Sequence, residues 1–427
     1  MSKISAFDDK KEYRKKIISW CMYDWANSAF ATTVMAAVLP VYYSKVAGAG
    51  LQGNTATVYW GYTTAIALLI TAFIAPIMGA IADFSKIKKR MLMIFASLGI
   101  LFTSLLYLVN TGDWFIASLF FIFGNVGFAT SEVFYNSLLP EVAKPEDIDR
   151  VSTRGYALGY LGGGILLAIN VAMLKFIDDK KFASRLCFIT VGIWWTVFTI
   201  PLITNIKETS RKNTIGSKFN SFYVGFRRVG KTFRELKNYR ELLLFLAAFW
   251  IYNDGIGTII KMATIYGAEI GIGTNDLIGA LLLTQFVGIP FAILFGRLAG
   301  VIGAKRSIYL GLFVYTLISI GAYFMTKGIH FWILAFSVAL VQGGTQALSR
   351  SLFASMVPSK KAAEFFGFYG MSSKFAGIFG PLIFAVVGQI TGTSRLSIVS
   401  LVAFFIIGAF VLSRVDVNKG IENAHNI

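Results

Sequence analysis

The stretch WCMYDWANSAFATTVMAAVLP, from Trp20 to Pro40, is apolar enough to begin a membrane span, yet it carries Asp24, Asn27, Ser28, Thr32 and Thr33. A charge at the centre of a membrane helix costs at least about 2.5 to 3.5 kcal/mol on insertion scales, so Asp24 requires a partner or an aqueous cavity. The surrounding chain makes the membrane reading firm. It is 56% hydrophobic and only 15% charged, with a mean hydropathy of +0.66, whereas soluble chains carry roughly a quarter charged residues. Apolar runs of about 18 residues or more, the length that crosses a bilayer as a helix, recur throughout. Twelve spans are expected, at 18–46, 58–82, 91–110, 114–138, 152–174, 185–206, 241–266, 276–296, 307–326, 329–356, 362–390 and 394–414. The first 17 residues are polar and basic, so no cleaved secretory signal is expected.

The net charge of +18 has a topological explanation. With both termini on one side and residues at span ends counted with the side they adjoin, 30 of the 40 Lys and Arg fall on that side, seven on the other and three within spans. That bias is the positive-inside pattern and places both termini in the cytoplasm, so nucleic-acid binding is not expected. Cys21 and Cys187 fall near opposite membrane faces and cannot form a disulfide. The two His are distant in sequence and no HExxH or CxxC spacing occurs, so no metal is expected. No G-x-x-x-x-G-K-[ST] loop and no clustered nucleophile set occur, which argues against ATP hydrolysis and against an enzyme.

The chain is written twice. Trp20, Asp24 and Ser28 match Trp250, Asp254 and Thr258 at an offset of 230. Gly79, Lys88 and Lys89 match Gly296, Lys305 and Arg306 at 217, while Ser137, Pro140, Gly159 and Gly162 match Ser355, Pro358, Gly377 and Gly380 at 218. These ordered matches predict an all-α membrane protein of two pseudo-symmetric six-helix bundles, 1–206 and 241–427. The connection, 207–240, holds ten Lys and Arg, with Phe219, Phe222, Phe226 and Phe233 at helical spacing; it reads as a basic amphipathic helix on the cytoplasmic leaflet.

Twelve spans in two halves, a basic central connection and a G-x-x-x-D loop at Gly79 and Asp83 resemble the major facilitator superfamily. Within it, YDWANSAFATTVMAAVLPVYY is similar to the first span of the vacuolar amino-acid effluxer-like (autophagy-related) family, which includes bacterial members. The resemblance implies a gating role for Gly79 and Asp83. Phe84 stands where a basic residue usually follows, and Gly300 occupies the position equivalent to the Asp in the second half.

Six charges fall inside the expected spans more than one helical turn from either end: Asp24, Glu132, Asp254, Lys261, Arg350 and Lys374. Helical spacing groups Asp24, Asn27 and Ser28 on span 1, and Glu132 with Asn136 on span 4. It likewise groups Asp254, Thr258 and Lys261 on span 7, and Gln346 with Arg350 on span 10. In the resembled fold spans 1, 4, 7 and 10 line the central cavity, which makes these residues candidates for substrate binding and proton coupling. Glu132 maps onto Arg350 at the offset of 218. The two read either as an ion pair that closes the cytoplasmic side or as a switch in which protonating Glu132 frees Arg350 for substrate. Lys261 and Lys374 would receive a substrate carboxylate and Asp254 an ammonium; alternatively Lys261 pairs with Asp254 along its own helix. Tyr135, Trp25 and Tyr252 either wall the site or face lipid. Gly155, Gly159 and Gly163 predict close helix packing, and Gly380-Pro381 a packing step or hinge.

The expected function is secondary active transport of a small polar solute, an amino acid or another zwitterion or organic anion, by alternating access. The resemblance favours export, and a proton or ion gradient rather than a cofactor would supply the energy. The expected setting is a bacterial inner membrane, with the solute and the bilayer as partners and the chain a monomer. The alternative is a membrane-embedded sensor or scaffold that kept the fold and lost transport; six intramembrane charges argue against it.

Overall fold

A computed structural model describes residues 3–52, 55–207 and 239–425. Helix α1 covers Lys3–Ala29 and continues through a π-helical stretch, Phe30–Val38, into Leu39–Tyr42. There follow α2 (Thr55–Ser85), α3 (Lys88–Leu105), α4 (Trp114–Ser137), α5 (Ile148–Phe176) and α6 (Lys180–Asn205). Beyond the central connection come α7 (Arg240–Glu269), α8 (Thr274–Ile302), α9 (Ala304–Tyr323), α10 (Gly328–Met356) and α11 (Ala362–Thr391). Helix α12 comprises Ser394–Ser400 and Val402–Ser413, and a short α13 covers Val417–His425. Residues 208–238 lie outside the described residues, and with them nearly all of the expected amphipathic connection.

Among the described residues, 11 helices are long and apolar enough to cross a membrane. The remaining expected span coincides with the 30-residue α11. Helix ends follow the sequence signals. Asp179 caps α6 by accepting from the Phe182 N–H at 2.9 Å. Helix α11 stops at Gly392, whose φ of +69° is left-handed backbone that suits Gly. Large apolar side chains such as Phe73, Phe115, Ile193, Phe313 and Phe410 are exposed. In water that belt would be unfavourable; against lipid it is the expected surface.

Helix α1 packs on α5 and α6, and α4 packs on α2 and α3; in the second half α8 packs on α10, and α7 on α11 and α12. The halves meet through α2 with α11, α5 with α8 and α10, and α4 with α11. The start of α1, the α2–α3 turn, the α10–α11 turn and α13 lie at one end of the molecule, called the terminal face below. Tyr13 donates to Asp147 at 3.0 Å and Lys88 reaches the Ser359 carbonyl at 3.3 Å there. Named pairs joining the halves, including Ser152 with the Ala347 carbonyl at 2.7 Å and Ser351 with Asp149, lie between the middle and this face.

Candidate functional site

The centre of the site is Arg350, two turns from the end of α10 and 3% exposed. A guanidinium taken out of water needs all its donors used, and α1, α4 and α5 of the first half supply the acceptors. Nη1 donates to Asp24 Oδ2 at 3.1 Å and to Asn136 Oδ1 at 3.2 Å. Nε donates to Ser152 Oγ at 2.9 Å and Nη2 to the Ser152 carbonyl at 2.8 Å. The rings of Tyr156, Trp20 and Tyr135 surround it, with centroids 4.5, 4.9 and 5.5 Å from Cζ. Tyr135 also donates its hydroxyl to Asp24 Oδ2 at 2.7 Å, and Trp20 stacks on Tyr135 at 4.3 Å. One side chain of the second half is thus gripped by a cage built entirely from the first.

The glycines of α5 allow this cage to form. A Cβ at Gly155 would collide with Asp24 Oδ2, one at Gly159 would lie 2.7 Å from Ser28 Oγ, and one at Gly163 would lie 3.0 Å from Thr32 Cγ2. The polar face of α1 therefore lies flat against α5. Ser28 sits in this seam, while Asn27 is buried and does not line the cavity described next.

A small cavity of about 100 Å³ lies between the halves. Glu132, Asn136 and Tyr156 line it from the first half, and Asn253, Gln346 and Tyr369 from the second. Asn136 and Tyr156 belong to both cage and cavity, so the two adjoin. The volume equals that of about three waters, well below a typical ligand pocket.

Two expectations about charge pairs need correction. The carboxylate partner of Arg350 is Asp24 rather than Glu132, which lines the cavity. Pseudo-symmetry relates Glu132 and Arg350, but the long Arg side chain reaches across to α1. Asp254, expected on the cavity face of α7, is turned towards α11: its Oδ2 accepts from the Gly380 N–H at 2.9 Å. Its neighbour Asn253 takes the cavity position. Lys261 is exposed, and the side chain of Lys374 lies outside the described residues. Tyr135 is in the cage, Trp25 stacks on Trp194 at 5.7 Å, and the Tyr252 hydroxyl meets Ser349 Oγ at 2.6 Å.

Ser152, Tyr156, Tyr369 and Asn253 were not singled out by the sequence. Ser152 and Tyr156 stand one turn apart on α5, flanking Gly155, and that spacing beside the glycine stripe was the available signal.

A second contact between halves lies at the terminal face. Asp83 forms a salt bridge with Lys88 at 3.2 Å and accepts the Glu364 N–H, in the first turn of α11, at 2.7 Å. A carboxylate at a helix N-terminus satisfies an otherwise unpaired donor and meets the positive end of the helix dipole. Lys88 also bridges Glu141 at 2.7 Å. Gly79 permits the approach, since a Cβ there would overlap the Ala363 carbonyl.

The sequence profile described as vacuole effluxer Atg22 like matches residues 12–425. The chain is 40% identical to the MFS-type transporter YxiO of Bacillus subtilis (strain 168), covering 94% of this chain and 95% of that one. It is 23% identical to autophagy-related protein 22-1 of Penicillium rubens, covering 98% and 92%. Its fold is similar to that of the proton:xylose symporter XylE, at a TM-score of 0.74 and 14% identity over 98% of this chain and 99% of XylE. It is also similar to the human organic anion transporter MFSD10, at a TM-score of 0.70 and 10% identity over 94% and 99%. The chain, an integral multi-pass membrane protein of the major facilitator fold, belongs to the vacuole effluxer Atg22-like family of transporters.

Proposed function

We propose that this transporter exports a small zwitterion, an amino acid or a close analogue, from the cytoplasm by proton-coupled alternating access, with the terminal face cytoplasmic. The observation that carries the reading is that the Arg350–Asp24 cage adjoins the cavity lined by Glu132, through the shared residues Asn136 and Tyr156. Together they set two carboxylates, a guanidinium and the amides of Asn136, Asn253 and Gln346 side by side at the contact between halves. A zwitterion carries complementary groups for both signs. An organic anion is the weaker match, because the charged side chain lining the cavity, among the described residues, is acidic. The 30-to-7 distribution of Lys and Arg supports the orientation.

In this reading the closed terminal face is held by Arg350 in its cage and by Asp83 at α11. Protonation of Glu132 accompanies solute exchange at the cavity, and release of Arg350 lets the halves part. Purified protein in liposomes loaded with unlabelled amino acids is expected to accumulate the labelled solute by counterflow. The Glu132→Gln variant should retain counterflow and lose accumulation driven by a pH gradient. Absence of amino-acid movement under every gradient would contradict the reading.

A further inference from the structure

We propose that the cage occupied by Arg350 is also the first binding site for the cationic group of the transported solute, an ammonium or guanidinium, when the terminal face is open. The inference rests on the transport reading above. Among the described residues, every group holding the guanidinium belongs to α1, α4 or α5: the Asp24 carboxylate, the Asn136 and Ser152 oxygens, and the rings of Trp20, Tyr135 and Tyr156. Arg350 alone comes from α10. When the halves part, Arg350 leaves with the second half and the first half keeps the empty cage.

What remains has the chemistry of a cation receptor: one carboxylate, carbonyl and hydroxyl acceptors, and three aromatic rings, the arrangement that recognises organic ammonium ions. It is preformed, because Tyr135 bonds Asp24 at 2.7 Å, Trp20 donates to the Tyr135 carbonyl at 3.0 Å, and both contacts lie within the first half. An unpaired Asp24 there is unfavourable, so a cation entering from the terminal face meets a site already built for it. Reclosure returns Arg350 to the cage. The solute is then displaced along the shared residues Asn136 and Tyr156 towards Glu132, whose carboxylate receives the same cationic group. Arg350 acts as a built-in competitor, which keeps the cage from trapping its solute.

The test removes the competitor. Purified Arg350→Ala is titrated with methylguanidinium chloride and tetramethylammonium chloride, with sodium acetate as the anionic control, and affinity and melting temperature are followed. The expected result is binding of the cations at least about tenfold tighter than to wild type, with a raised melting temperature and no response to acetate. Adding Asp24→Asn or Trp20→Leu to Arg350→Ala should abolish the gain, and Arg350→Lys, which keeps a tethered cation, should not show it. If Arg350→Ala is not monodisperse, Arg350→Gln is used. If neither is, recovery of monodisperse protein by purification in methylguanidinium supports the cage, and failure to recover it overturns the proposal. A gain that survives loss of Asp24 and Trp20, a gain from acetate, or no gain in a folded variant also overturns it. Cation binding by Arg350→Ala together with no flux from the wild type would contradict the transport reading and leave the cage assignment standing.

Discussion

At the scale of single residues, Asp24 and Arg350 explain each other. Each alone is costly in a membrane protein; together, with Tyr135, Asn136 and Ser152 adding bonds, they form a connected network that uses four of the five guanidinium donors. Removing one partner from a buried pair typically costs about 3 to 5 kcal/mol, because the other charge stays buried. Asp24→Asn is therefore expected to lower the melting temperature and to abolish or uncouple flux, whereas unchanged flux would remove Asp24 from the mechanism. Both charges were legible in the sequence as intramembrane anomalies. Their pairing was not, because an internal repeat relates positions by symmetry and says nothing about which side chain spans the gap. Ser152 and Tyr156 were passed over for a different reason: an uncharged Ser or Tyr in a span carries no charge penalty that demands a partner, and their spacing beside the glycine stripe was the one signal they left.

At the scale of helices, the seam between α1 and α5 is set by three glycines. Gly155→Ala places a methyl group against Asp24 Oδ2 and 2.9 Å from Arg350 Nη2. Overpacking of this kind costs about 1 to 3 kcal/mol, and the variant should show a lower melting temperature together with reduced flux; a stable, fully active Gly155→Ala would contradict the seam. Helix α7 offers a contrasting case. Asp254 braces α11 at the Gly380-Pro381 break, with Oδ2 on the Gly380 N–H. Asn at this position keeps a carbonyl acceptor, so Asp254→Asn should retain flux and proton coupling. Asp254→Leu, which removes the bond to that N–H, should lose about 0.5 to 1.5 kcal/mol of stability. Loss of coupling in a stable Asp254→Asn would return Asp254 to the list of coupling residues. Helical spacing identified the polar face of α7 but could not fix its rotation; a turn of about 100° per residue separates Asp254 on α11 from Asn253 on the cavity.

For the whole molecule, the fold was legible because it is written in long apolar spans and in a repeat, both of which survive without any knowledge of contacts. The asymmetry between the halves was also legible: Asp83 bonds the first turn of α11, and its counterpart is Gly300, where an added Cβ would meet nothing within 4 Å. The terminal face is thus locked on one side by Asp83 and centrally by Arg350. The central claim is that these contacts hold that face shut and that releasing Arg350 opens it. It is tested most directly by spin labels at Lys86 and Lys360, exposed positions on the α2–α3 and α10–α11 turns, with the distance between them measured in lipid. The account predicts one short distance in the otherwise unaltered protein and a second, longer population in Arg350→Gln, growing further when Asp83→Asn is added. The same single short distance in all three proteins would contradict it.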